Sequence, residues 1–497
     1  MSAGNDLKEH SLEPVYYVPN QRAEWRLPSD RIFSTDLFIA NLGVTKQTNA
    51  TGAQYGGWAG VYGAITQMTL YDGNVVLSQI SDVGRWAGFK MFNKSNDYCS
   101  AVGQYYSLAS NGKVLGGTDG RPIQDFLSDK RGLAASSRAG GTVSHIRALG
   151  QGLKEARTRN FLTKVADSGV NGTAKGLLRT RHIFDLLNKL PYIDTSIFKD
   201  FRIVVEMSSD PLRITRTNHD SPLTTCRPLL LATELVDDEL KGGLMGKFTP
   251  VQFDEIEDDR VTIPRIEATF SVASVGVVAN QQGAGGRNNA QIENYHINGF
   301  NNKTLGRMLL WKAPNQQYQI GPVTGDGSSM TAITNGNGGV VGNGLYASTG
   351  FLGEQEQIRL NGRNIFARSG VSGDNRRLAH MVDSWGNCAV APYAAGLAYT
   401  EVDGVERSEL LGDAGNALVG YQSFVGVDLA GERCTDLQID FTRLGTIMTD
   451  TNAGTTGTEP RFRTKYNAEH NMLIWCEVKK AIVADPSQAN GYNVQYL

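Results

Sequence analysis

Cysteine is scarce in this chain of 497 residues: five, at Cys99, Cys226, Cys388, Cys434 and Cys476, none forming a C-x-x-C pair. An odd number without a framework excludes a disulfide-stapled scaffold and predicts reduced, buried thiols made in a reducing compartment. No apolar run approaches the ~18 residues of a membrane-spanning helix. Residues 1–6 lack the basic and apolar regions of a secretory signal, so export through a signal peptide is not expected. The N-x-S/T sites at Asn49, Asn93, Asn171 and Asn302 are then coincidental. An excess of charge of one sign is also missing. Lys+Arg total 48 against 50 for Asp+Glu, which argues against a dedicated nucleic-acid binder. Proline is low at 15 and glycine high at 57, a balance that suits many turns between strands better than a helical bundle.

Catalytic signatures are absent too. The sequence has no H-E-x-x-H, no G-x-S-x-G and no G-x-x-x-x-G-K-[ST], and its seven histidines lie far apart without ligand spacing. The expectation is a protein that is not an enzyme, with no catalytic, cofactor-binding or metal-binding residues and no cofactor. Asp254, Glu255, Glu257, Asp258 and Asp259 offer carboxylates of the kind Ca²⁺ takes, but without the order of an EF-hand loop they read as a solvated interdomain segment. Gly283-Ala284-Gly285-Gly286 and Gly336-Asn337-Gly338-Gly339 lack the strand and helix that a phosphate loop needs on either side. The basic run Arg147, Lys154, Arg157, Arg159, Lys164, Lys175, Arg179, Arg181 and Lys189 is the main charge feature. Phe161 and Phe184 alone interleave it, too few to stack a run of bases, so a solvated face with subunit contacts is favoured over nucleic acid or a membrane surface.

What the sequence does contain is alternation broken by tight turns. Residues 65–77 read as strand, turn and strand around Asp72-Gly73, expected to be the central pair of a type I′ turn. Ser81-Asp82 then caps a helix with Val83, Trp86 and Phe89 at helical spacing. The same order returns around Asn361-Gly362, where Asp374 caps a run holding Leu378, Met381 and Val382. The repeated unit predicts a duplicated domain.

Residues 1–30 read as a polar arm with Pro14, Pro19 and Pro28 along it, running over a surface or a neighbouring chain. Residues 31–264 form the first domain, with a helical, basic insertion over about 93–191. That insertion carries one helical face of Ile146, Leu149, Leu153 and Ala156, and a second run from Ile183 to Leu190 that Pro191 stops. The boundary falls near Pro264, after the acidic stretch, and residues 265–497 form the second domain, with a Gly-rich loop over about 321–353. Further strands are expected at 32–44, 201–207, 229–236, 268–278, 305–311, 421–429, 437–444 and 472–483. The class is all-β: two tandem eight-stranded antiparallel jelly-roll sandwiches, a double jelly roll with short helices and long loop insertions.

Trp25-Arg26-Leu27-Pro28, residues 37–43, Gly60-Val61-Tyr62-Gly63-Ala64-Ile65, Leu70-Tyr71-Asp72-Gly73 and residues 89–96 resemble the N-terminal pattern of double jelly-roll major capsid proteins of virophages and Polinton-like viruses. Residues 183–187 and 202–206 are similar to the same family. The resemblance covers about residues 25–97 and 181–207 and is specific only as an ordered set. It implies a virion protein: a homotrimer whose six barrels make a pseudo-hexagonal capsomer of an icosahedral shell, with barrel-end loops outward and termini near the inner face. The partners it implies are neighbouring capsomers, penton and minor capsid proteins, and an internal membrane or packaged DNA on the inner face. The long basic insertion and the Gly-rich loop depart from the simplest family pattern and are candidates for an outer tower or a trimer clasp. The competing reading is a two-domain β-sandwich carbohydrate-binding protein or glycoside-active enzyme, with a carboxylate pair drawn from loops and Trp58, Trp86, Trp311 and Trp385 as sugar platforms, although Trp86 and Trp385 read as helix residues packed on the sheet.

Overall fold

The computed structural model describes residues 6–46, 65–92, 173–208, 223–225, 227–263, 290–314, 355–367, 370–371, 374–385, 424–444 and 470–497. The chain divides into two compact units, Met1–Glu257 with Cys476–Leu497, and Asp258–Trp475. In chain order the elements begin with β1 (Leu7–Leu12), β2 (Tyr16–Val18), β3 (Arg22–Arg26), β4 (Ile32–Phe33), β5 (Phe38–Lys46), β6 (Ile65–Asp72), β7 (Val75–Ser81) and helix α1 (Val83–Phe92). Next come β8 (Thr173–Arg179), α2 (Leu186–Lys189), β9 (Ile193–Asp194), β10 (Phe201–Met207), β11 (Leu223–Thr225), β12 (Leu229–Leu235), α3 (Asp238–Leu244) and β13 (Val251–Ile263). They continue with β14 (Ala290–His296), β15 (Thr304–Pro314), β16 (Gln355–Leu360), β17 (Arg363–Asn364) and α4 (Asp374–Trp385). The last are β18 (Phe424–Arg433), β19 (Leu437–Leu444), β20 (His470–Ala484) and β21 (Tyr492–Tyr496).

In the first unit one sheet runs β11-β5-β12-β4-β9, with β1 added on β12 and β8 on β5, and the other runs β2-β3-β10-β6-β7. Their cores are built from the inward positions of each strand: Ile39, Leu178 and Leu230 in one, Trp25, Leu70 and Ile203 in the other, all at most 1% exposed. In the second unit β14-β19-β16-β17 form one sheet. β15 and β18 pair in the other, where β20 follows β15 and β13 follows β20. Trp311 of β15 and Trp475 of β20 meet edge to face at 5.2 Å, both 1% exposed, as the aromatic centre of that unit. Strands β13 and β20 each run on from one unit into the other. The architecture is a double jelly roll, and each unit carries the hairpin followed by a helix that the repeat in the sequence predicts.

Several local expectations change. The hairpin of β6 and β7 pairs Asp72 with Val75, so the central residues are Gly73 and Asn74, not Asp72 and Gly73. Gly73 alone has positive φ, at 59°, the pattern of a type II′ turn. In β16 and β17 Leu360 pairs with Arg363, and both Asn361 (53°) and Gly362 (78°) have positive φ, the type I′ pattern. Asn41, at φ 58°, sits where the β5–β8 register shifts between Ile39 and Leu42. The extra residue turns Leu42 inward beside Ile39, a bulge that strict alternation does not anticipate.

The arm is part of the sheets rather than a surface strap. β1 pairs with β12, β2 and β3 join β10, and Trp25 is 1% exposed. His10 Nε2 and Arg31 Nη1 both lie 2.6 Å from Glu234 Oε2, tying β1 down from the side. The chain is back in the sheet by Thr173, which pairs with Thr45, well before residue 191. Ile183, Leu186 and Leu187, read as part of an insertion, are core. The acidic stretch lies within strand β13. The helical face around 146–156, the strand at 268–278 and the loop at 321–353 lie outside the described residues.

Candidate functional site

Each hairpin turn is the hub of a polar cluster, and the two clusters are built alike. In the first unit Gly73 N donates to Asp200 O at 3.2 Å, and in the second Asn361 N donates to Asp436 O at 2.8 Å. Asp200 and Asp436 each stand just before the central strand that pairs with the hairpin, β10 and β19. The side chains then diverge. Asn361 Oδ1 accepts from Thr435 N and Oγ1, both at 2.8 Å, and its Nδ2 donates to Arg433 O at 2.9 Å. Those partners come from the last residue of β18 and the short link that joins it to β19.

Asp72 reaches much farther along the chain. It is 2% exposed; its Oδ1 accepts from Asp200 N at 2.7 Å, and its Oδ2 accepts from Tyr492 Oη at 2.7 Å and Asn490 Nδ2 at 3.3 Å. Burying a carboxylate is costly unless its lone pairs are matched, and here both oxygens are matched. Arg202 frames the same turn, donating to Gly73 O and to Glu24 Oε1 while lying over the Tyr71 ring. Burial, followed by the Asp72 carboxylate, pushes the Tyr492 phenol far above its ordinary value, so it remains a donor.

A second cluster holds the same C-terminal segment. Lys480 Nζ contacts Glu255 Oε2 and lies 3.0 Å from Glu257 Oε1, while the Tyr496 ring sits 4.5 Å from the ammonium. Tyr496 Oη donates to Glu257 Oε1 at 2.8 Å, and burial with that carboxylate pushes its phenol up to about 12. Burial pulls the Lys480 ammonium down to about 8, although the carboxylates beside it favour its charged form. Glu255 also accepts from Gln79 N and so covers the edge of β7.

The acidic residues singled out in the sequence therefore point at lysine, arginine and backbone partners, Asp258 lying 3.6 Å from Arg260. Glu255 and Glu257 hold Lys480, Asp254 lies 3.4 Å from Lys479, and Asp259 Oδ2 accepts from Gly299 N. Among the described residues no group of three or more His, Cys, Asp or Glu is placed to hold a metal. Trp86, Trp311 and Trp385 are buried in the core; Trp385 Nε1 donates to Met308 O, and none of the three offers a face to a sugar. Trp58 lies outside the described residues, as do Arg147, Lys154, Arg157, Arg159 and Lys164. Of the basic run, Arg179 makes two bonds of 2.6 Å to the Asp36 carboxylate, and Lys189 is exposed. The Cys434 and Cys476 side chains are buried, and burial pushes the Cys434 thiol up to about 11. Sequence reading missed Asp200, Lys480, Asn490 and Tyr492. For the last two a signal existed, because Asn490-Gly491 precedes the alternating Tyr492, Val494 and Tyr496, a third Asx-Gly turn with its strand.

No family model matches the sequence, and no curated protein matches it at a significant level. Solved structures do match. The crystal structure of PBCV-1 VP54, fitted into a cryo-EM reconstruction of the virophage Sputnik, is similar over 99% of this chain and 97% of that one, with 11% identity and a TM-score of 0.53. A chain from the cryo-EM structure of the Sputnik virophage matches over 99% of this chain and 88% of its own, at 8% identity and a TM-score of 0.50. The mavirus major capsid protein matches over 98% and 90%, at 8% identity and a TM-score of 0.49. Likeness at such identity is a likeness of fold, and for the first two it extends across nearly the whole of this chain.

Proposed function

We propose that this chain is the major capsid protein of an icosahedral virus, assembling as a homotrimer that serves as a pseudo-hexagonal capsomer. The observation that carries the reading is the internal repeat: two jelly rolls in one chain, each with its hairpin, its turn hub and its following helix. Three such chains present six like barrels, so a trimer with closed symmetric interfaces occupies a lattice site with six neighbours. The fold shared with PBCV-1 VP54 and with a chain of the Sputnik virophage, over nearly the whole length, supports the same role.

In this reading the chain is structural and not an enzyme, and its place is the virion. Its partners are its own copies, the neighbouring capsomers, and the penton and minor capsid proteins that complete a shell. The basic run between 147 and 189 reads first as a solvated face with subunit contacts, with an internal membrane or packaged DNA as the alternative contact. Nothing in the described residues favours the carbohydrate reading, because Trp86, Trp311 and Trp385, the described members of its proposed platform, are buried. The deciding experiment is mass by light scattering followed by electron microscopy of the purified protein. Trimers with a hexagonal outline, forming sheets or shells, are expected; a monomer that binds glycans overturns the proposal.

A further inference from the structure

We propose that residues 485–497 are a closing strap: the first unit attains its native packing only when this segment, which follows the whole second unit in the chain, docks on the Asp72 turn. The inference rests on the fold and is independent of the capsid reading.

The first unit is discontinuous, completed by Cys476–Leu497. What the strap supplies is specific. Asp72 Oδ2 finds its donors, Tyr492 Oη and Asn490 Nδ2, in the strap, whereas Oδ1 is served by Asp200 N from the unit's own body. Undocked, the strap leaves half of a buried carboxylate without a protein donor beside the pairing of Asp72 with Phe201, so the edge of the β6–β10 ladder is weakened as well. Tyr492 is also a packing anchor: 2% exposed, edge to face with Phe198 at 5.4 Å and stacked on Phe248 at 6.0 Å. Phe198 in turn meets Phe201 at 6.2 Å, which links the anchor to the start of β10.

The strap is built to dock as one piece. Asp485 N donates to Gly491 O and Gly491 N to Gln488 O, both at 2.9 Å, while the Asp485 carboxylate accepts from Ser487 N and Oγ. β21 then pairs with β20 from Lys480↔Tyr496 to Ala484↔Tyr492. Joining positions 72 and 492 in an unfolded chain closes a very long loop, and prior folding of the intervening residues 258–475 shortens the flexible part of it. The order of events that follows is second unit first, strap and β6–β10 last.

Pulse-labelling hydrogen exchange during refolding of the full chain tests this. The amides of β6 and β10 are expected to gain full protection in the same kinetic phase as those of β21, after β15, β18 and β19. Full protection of β6 and β10 before β21 overturns the proposal. Tyr492→Phe keeps the ring and deletes only the hydroxyl. At equilibrium it is expected to speed exchange in β6 and β10 by about tenfold or more and to leave β15, β18 and β19 unchanged. An equal effect on both units, or none on either, likewise overturns it.

Discussion

The hydroxyl of Tyr492 donates to Asp72 Oδ2 at 2.7 Å, joining residues 420 positions apart in a site where both are 2% exposed. Both groups are buried, so deleting either leaves the other short of a partner. Tyr492→Phe is expected to lower the stability of the first unit by about 1–3 kcal/mol. Asp72→Ala should cost more, because it also orphans Asp200 N and leaves Asn490 Nδ2 only the Asp72 backbone carbonyl. Urea titrations of wild type, both single variants and the double variant would measure the coupling. A coupling near zero would mean that water replaces the bond.

Cys434 makes the high-pH behaviour of the second unit predictable. Burial, with Asp436 adding to it, raises its thiol from an ordinary 9.0 to about 11. Below pH 9 the folded and unfolded chains hold this proton equally, and the contribution of the group is fully present. Between 9 and 11 the unfolded thiol ionises while the native one does not, so stability falls as pH rises, by up to about 2 kcal/mol. Cys434→Ala should shift the whole curve through lost packing but flatten its slope in that window. The native thiol should also resist alkylation until the unit is unfolded.

Two glycines of the hairpin–helix units should respond differently to alanine. A Cβ at Gly73 would meet nothing within 4 Å, so Gly73→Ala costs only the left-handed backbone, about 1 kcal/mol, and Gly73→Val more. At Gly426 on β18 a Cβ would lie 2.6 Å from Met381 Sδ and Ser384 Oγ and 2.7 Å from Trp385 Cδ1, so α4 must lift off the sheet. Gly426→Ala is therefore expected to cost about 1–3 kcal/mol, with loss of the near-ultraviolet signal of Trp385. The reverse order in thermal unfolding would refute the packing assignment.

Strands such as Phe201–Met207, Leu229–Leu235 and Leu437–Leu444 were legible in the sequence because period-2 alternation is a local property, and these coincide with β10, β12 and β19. The repeat was legible for the same reason, since an Asx-Gly turn and a following helix are written in neighbouring residues. Turn register was not: Asp72-Gly73 and Gly73-Asn74 are both acceptable pairs, and the choice falls to the second because the Asp72 side chain is drawn inward by partners at 200, 490 and 492. Trp25 was hidden in an arm read as polar, because its burial depends on β10, far along the chain. Glu255 looked solvated for a similar reason, its lysine being 225 residues away. Clusters held together by such distant pairs have no signature in any window of sequence.

Lys480 supplies the last test. Its ammonium lies between Glu255 and Glu257, and the Glu255 side chain is only 3% exposed. Removing the cation strands a buried carboxylate, so Lys480→Met alone should destabilise the first unit by about 3–5 kcal/mol. Adding Glu255→Gln keeps an acceptor for Gln79 N while discharging the site, and should restore most of that loss. Glu255→Gln by itself should be mild, since Lys480 retains Glu257. Chemical denaturation of the three variants separates the possibilities. If the double variant is as unstable as Lys480→Met, then packing of the lysine stem against Tyr496, rather than its charge, holds β20 to β13 there, and the electrostatic account of the cluster fails.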